Sequence, residues 1–221
     1  MKLLAQAILK FALGVVLTGL LLFLPAGGFG WPNGWLLCAI LFLPMFGAGL
    51  VMWKKSPRLL EKRLKAKEEE GTQRKVVSAS ALLFIAGFVV AGLDYRFGWS
   101  HLPNWVVIAA AVVFLCAYGL YAEVLRENAY LSRTIEVQEG QKVVDTGLYG
   151  IVRHPMYAAV ILLFLSIPLV LGSVWAFLIF LPFPALLAAR IKNEEAVLLK
   201  GLEGYTEYTR RVRWRLFPFV W

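Results

Sequence analysis

Three groups of residues carry the chemical potential of this chain. The first is the run Arg153-His154-Pro155-Met156-Tyr157. Pro155 suits the first position of a helix starting there. The unsatisfied N–H groups of such a start, with the helix dipole, form a natural site for an anionic group. Arg153 and His154 would add side-chain donors at that point. They read equally well as a positive-inside arginine and a capping histidine. The second group is Arg190-Ile191-Lys192-Asn193-Glu194-Glu195. Arg190 and Glu194 are four apart and share a helix face. A snorkelling arginine in a helical ion pair is the plain reading, worth about 0.3–0.5 kcal/mol. Its position at the edge of an apolar run makes the pair a functional candidate. The third is the polar segment 126–150, which closes on Val143-Val144-Asp145-Thr146-Gly147-Leu148-Tyr149-Gly150. Its β-branched residues and turn signals predict an extended, ordered loop, although composition alone favours a plain connector.

Other chemistries find little support. There is no GxGxxG after a strand, no GxxxxGK[ST], no HExxH and no GxSxG. With two histidines, and with Cys38 and Cys116 lying singly in separate apolar runs, neither a metal site nor a disulfide is expected. The Glu68-Glu69-Glu70 run reads as a solvated face.

These groups need elements to hold them, and composition says which. Sixty per cent of the 221 residues are hydrophobic, with a mean hydropathy of +0.69. That is too apolar for a soluble domain, which needs a polar surface. The expected class is all-α: a polytopic membrane bundle of about six spans. A span needs about 20 apolar residues, and stretches near 3–24, 34–53, 76–94 and 104–122 qualify. Residues 3–24 read as an anchoring span, not a cleaved signal, because Lys10 interrupts the run and no small-x-small site follows. From Pro155 to Ala189 the chain has no charge. One straight helix would run roughly 50 Å there at ~1.5 Å per residue, too long for one bilayer core. Ser166, Pro168, Gly172 and Ser173 sit at its middle, so a hairpin of helices over about 156–171 and 174–191 is predicted.

Charge gives the orientation. The net charge is +9, and Lys54, Lys55, Arg58, Lys62, Arg63, Lys65, Lys67, Arg74 and Lys75 crowd one segment between two spans. That pattern is the positive-inside signal and an attraction to anionic membrane lipids, not a nucleic-acid surface, for which no known motif is present. Segment 54–75 is expected to be a surface helix or basic linker. Loop 25–33 has no charge, and loop 95–103 has only Arg96 beside Asp94. Both are expected outside, with Trp31, Trp35, Trp99 and Trp105 as interfacial aromatics. Segments 54–75 and 123–154 and both termini then face the cytoplasm. The inner membrane of a prokaryote is the expected setting. Leu198, Leu202, Tyr205, Thr209 and Val212 recur at helical spacing among charged residues, which predicts one amphipathic surface helix. Trp214, Phe217, Phe219 and Trp221 would anchor the tail. The natural division is a four-span region, 1–122, and a catalytic region, 123–221.

The groups occur in a telling order: Gly147-Leu148-Tyr149, Arg153-His154-Pro155-Met156-Tyr157, Arg190 with Glu194-Glu195, Tyr205-x-x-Tyr208, and Arg213-Trp214-Arg215-Leu216-Phe217-Pro218. This pattern resembles the isoprenylcysteine carboxyl methyltransferases, within a broader superfamily that includes the phospholipid methyltransferases. It covers roughly 126–221. The resemblance implies S-adenosyl-L-methionine as donor, in a non-Rossmann pocket. It implies donor contacts from Gln141, Lys142, Val143 and Val144, from Tyr149, from Arg153, His154, Pro155, Met156 and Tyr157, and from Glu194. It implies that Arg190 binds the acceptor, with Arg190 and Glu194 as the catalytic pair. Gln141 departs from the histidine frequent in the family, and Leu202-Glu203-Gly204 replaces its Phe-Gly.

The implied reaction is methylation of the carboxylate of a lipophilic, isoprenylcysteine-like acceptor drawn from the bilayer, with no obligate protein partner. A carboxylate is already nucleophilic, so positioning is the main task. Three rivals stand beside this reading. A phosphatidylethanolamine N-methyltransferase shares the Arg-His-Pro-x-Tyr core but needs a base to deprotonate its ammonium acceptor, which Arg190 would repel. A sterol-type reductase shares the architecture but uses a nicotinamide cofactor. A scaffold or transporter would need midspan polar residues, which are scarce here.

Overall fold

A computed structural model of the chain describes residues 2–64, 71–128, 130–131 and 137–221. Among these residues the regular structure is entirely helical, as expected. Helices α1 (Lys2–Ala26), α2 (Pro32–Lys55), α4 (Gly71–Phe97) and α5 (Asn104–Glu127) are the four N-terminal spans. The short α3 (Pro57–Leu64) follows α2 and supplies the predicted surface helix. Glu68, Glu69 and Glu70 lie outside the described residues. A 3-10 turn, Gly147–Gly150, precedes α6 (Pro155–Val170), α7 (Val174–Phe180), α8 (Phe183–Gly201) and α9 (Tyr205–Arg211).

By length and hydropathy, α1, α2, α4, α5 and the stretch Val174–Gly201 could each cross a membrane, and α6 is a shorter apolar helix. Its 16 residues reach only about 24 Å. Leu9, Leu24, Leu43 and Trp105 are each at least 70% exposed, the outward faces a bundle offers to lipid. α6 is apolar all round because it is covered all round: Ala158, Ala159, Ile161, Leu163, Ile167 and Val170 are buried. It lies along α5, and α4 joins α1 to α7 and α8. One core cluster draws Leu22 and Phe23 from α1, Leu37 from α2, Phe88 from α4, Phe114 from α5, Ile167 from α6 and Phe180 from α7. The hydrophobic core therefore runs across residue 122.

Phe180 packs edge-on to Phe84 at 5.2 Å. Its ring occupies the space that a Cβ on Gly87 would fill, so α4 has a notch where α7 sits against it.

Three expectations are corrected. The second limb of the hairpin is two helices: Pro182 and Pro184 lack backbone donors, which ends α7 and suits the first turn of α8. α8 also continues to Gly201, ten residues beyond the predicted end of the limb at 191. The single C-terminal amphipathic helix is broken at Leu202–Gly204. The buried stripe is Leu202, Tyr205, Tyr208 and Val212, against Val137, Val143 and Leu198; Thr209 is not part of it. Finally, Trp31 is 1% exposed. It packs between Phe23 and Tyr95 at 6.4 and 5.1 Å, as core and not as an interfacial anchor.

The loops after α1, α4 and α6 meet at one end of the bundle. Asp94, 1% exposed, accepts from the backbone N–H and the hydroxyl of Ser100 at 2.7 Å each, and from the Ser173 hydroxyl. Ser173 also caps α7 by accepting from the Ala176 N–H at 3.0 Å. This polar cluster, which borders a second cavity, pins the hairpin tip to α4.

Candidate functional site

At the opposite end, the close of α5, the start of α6 and the middle of α8 converge under the loop 137–150. Glu127, at the end of α5, accepts from the Leu148 N–H at 3.0 Å. Gly147 has φ +50°, and a Cβ there would overlap the Glu127 carboxylate, so glycine is required. Asn128 donates to the Tyr149 hydroxyl at 3.0 Å, and the Tyr208 hydroxyl donates to the Tyr149 carbonyl at 2.8 Å. Burial is the leading cause that pushes the phenols of Tyr149, Tyr205 and Tyr208 well above their ordinary range. All three stay protonated.

Two networks separate on α8. Glu195 is buried and accepts from Arg153 Nε at 2.7 Å and Arg215 Nε at 2.8 Å, with His154 Nε2 at 3.2 Å. Arg153 Nη1 donates to the carbonyls of Val212 and Arg213 at 2.7 and 2.9 Å. The backbone N–H groups of Arg153 and His154 donate to the carbonyls of Trp214 and Arg215 at 2.9 and 2.8 Å. The C-terminal segment thus straps the entrance of α6. The N–H of His154, the N-cap of the helix start expected to favour an external anion, is taken by the chain itself.

The second network faces open space. The Tyr157 hydroxyl donates to Glu194 Oε2 at 2.6 Å and accepts from Arg190 Nε at 3.0 Å. The predicted Arg190–Glu194 pair is therefore bridged by a phenol from α6.

Beside it lies a cavity of about 100 Å³, partly open to solvent, smaller than the ~300–1,000 Å³ typical of ligand sites. Gln141, Lys142, Val143, Val144, Tyr149, Arg153, His154, Met156, Tyr157, Arg190 and Glu194 all line it. Pro155 does not; it is buried at the first turn of α6. The cavity has a charged part, with Arg190 and Glu194, and an apolar part around Val143, Leu198, Leu202, Tyr205 and Tyr208. Asn128, Tyr205 and Tyr208 were not among the expected site residues, nor was the Glu195–Arg215 contact. The Tyr-x-x-Tyr spacing was the available signal for the two tyrosines. Nothing local marked Glu195 as different from Glu194.

Residues 105–203 match the phospholipid methyltransferase family, less than half of the chain. The chain is 26% identical to a Delta(14)-sterol reductase of Methylotuvimicrobium alcaliphilum over 54% of its own length and 32% of the reductase. It is 33% identical to the Delta(14)-sterol reductase TM7SF2 of Mus musculus over 40% of its length and 22% of the reductase. It thus spans a third or less of these two relatives. It is also 27% identical to the uncharacterized protein YpbQ of Bacillus subtilis, over 78% of this chain and 98% of that one.

Proposed function

We propose that the chain is an S-adenosyl-L-methionine-dependent methyltransferase of the membrane, acting on the carboxylate of a lipophilic, isoprenylcysteine-like acceptor. The observation that carries this reading is the cavity where Arg190 and Glu194, bridged by Tyr157, face the 141–149 loop. The match of residues 105–203 to a family of membrane methyltransferases supports it. The donor fits the residues present. Its charged amino-acid end suits the side of the cavity that Glu194 lines, and its nucleoside suits the apolar part. Bound there, the donor would supply a methyl group on a cationic sulfonium.

The chain's own residues have to bind, orient and exclude water. Arg190 offers a guanidinium at the membrane edge, suited to a planar carboxylate. Tyr157, held between Arg190 and Glu194, fixes the two relative to each other. A carboxylate acceptor needs no base, so alignment is the chief contribution. On the positive-inside rule, the site end of the bundle faces the cytoplasm, and the acceptor's hydrocarbon remains in the bilayer. Phosphatidylethanolamine is the alternative acceptor, by the family that matches.

A reductase is the second reading, favoured by the two sterol reductases among the relatives. One experiment separates all three. Purified protein in detergent is titrated with S-adenosylhomocysteine and, separately, with NADPH. It is then assayed with labelled methyl donor against a prenylcysteine analogue and phosphatidylethanolamine. Binding of S-adenosylhomocysteine and transfer to the carboxylate are expected. Binding of NADPH alone would sink the methyltransferase reading.

A further inference from the structure

Tyr205 breaks a rule that the rest of the site obeys. It is 4% exposed, it lines the cavity, and its hydroxyl is buried with no hydrogen-bond partner. It is the only such side-chain atom found among the described residues. Its near neighbour Tyr208, 5.6 Å away ring to ring, is satisfied by the Tyr149 carbonyl. Leaving a buried hydroxyl unpaired costs about 1–3 kcal/mol, so such a group calls for a reason. A phenylalanine would pack the same stripe of Leu202, Tyr208 and Val212 without that cost. The oxygen is therefore superfluous to the fold and points to a partner that enters the cavity.

The surroundings say which part of a ligand that is. With Glu195 and Glu194 close enough to act on its hydroxyl, Tyr205 has its ring packed on the cavity wall by Val143, Leu198, Leu202 and the Tyr208 ring. They suit a flat, largely apolar ring with a few polar atoms on its edge. Glu194, held by the Tyr157 hydroxyl, suits an amino-acid end. We infer that the Tyr205 hydroxyl is a hydrogen-bonding contact for the nucleoside half of the donor, and so a binding determinant of the site. This rests on the proposed methyltransferase reading. The phenol stays protonated, because burial holds its proton on. It can therefore donate to a ring nitrogen or accept from an amino or hydroxyl group.

The test compares wild type with Tyr205→Phe in detergent, using thermal unfolding and calorimetric titration. Two probes are used: S-adenosylhomocysteine, and 5′-methylthioadenosine, which keeps the nucleoside and lacks the amino-acid end. Without ligand, Tyr205→Phe should melt at or above the wild-type temperature, because an unpaired polar group has been removed. Both probes should bind it about five- to tenfold more weakly, the loss of one neutral hydrogen bond. A lower melting temperature without ligand would make Tyr205 structural and overturn the inference. So would unchanged affinity for both probes, or a loss confined to S-adenosylhomocysteine, which would put the contact at the amino-acid end. Should wild type bind neither probe, the methyltransferase reading fails and this inference fails with it. Wild-type binding with an unaffected variant fails this inference alone.

Discussion

On one face of α8, Glu195 is sealed among Arg153, His154 and Arg215. On the adjoining face, Glu194 holds the Tyr157 hydroxyl beside an open cavity. The two carboxylates are consecutive, yet about 100° apart around the helix. The first is surrounded by the chain's own donors, some of them fixed by the C-terminal strap. The second shares its partner with Arg190 and borders a cavity partly open to solvent. The contrast separates two kinds of polar cluster in a membrane bundle. One is closed on itself and holds elements together. The other is left open on one side and is available for chemistry.

The sharpest way to break the comparison is Glu195→Ala. It strands the buried guanidinium of Arg153 and removes the partner of the part-exposed Arg215, so a loss of about 3 kcal/mol is expected. It should appear as aggregation or a collapsed melting temperature in detergent, with every activity lost together. A variant that melts normally but lacks only donor binding would place Glu195 on the open side. Glu194→Ala should do the reverse. Its fold should survive, while affinity for S-adenosylhomocysteine falls on the order of 10–100-fold, the range for a charged hydrogen bond. Equal loss of stability in both variants would erase the distinction between the faces.

Arg190→Ala sharpens the open side. Donor affinity should stay within about threefold, while transfer to a prenylcysteine analogue falls on the order of tenfold or more. Parallel loss of both would make Arg190 a donor ligand. The smallest effect is expected at the far end. Ser173→Ala removes the cap of α7 and one donor to Asp94, for about 1–2 kcal/mol. Activity per folded molecule should not change. A drop in turnover without a drop in melting temperature would tie the hairpin tip to the site.

Much of this was legible in the sequence. Hydropathy located the four N-terminal spans to within a few residues, because lipid imposes its thickness on composition. The groups that meet on the open face, Tyr157, Arg190 and Glu194, could be read as candidates, since helical spacing and an apolar edge are local properties. What could not be read depends on contacts distant in sequence. Glu195 is distinguished from Glu194 only by Arg153 and by Arg215, which arrives from the tail. Trp31 looked like an interfacial aromatic until Phe23 and Tyr95 closed over it. The unsatisfied hydroxyl of Tyr205 exists only once its neighbours are in place. The two helix breaks are different. Pro182 and Gly204 were in plain view, but the charge-free run and the apolar periodicity outweighed them.

The notch at Gly87 carries a consequence for how sequences of this architecture diverge. The Phe180 ring fills the space of the missing side chain, so the two positions form one steric unit. A larger residue at 87 forces either a smaller one at 180 or a shift of α7. Across related chains, the sizes of these two residues should vary inversely. The residue pair is more than 90 positions apart in the chain, yet selection would act on its combined volume.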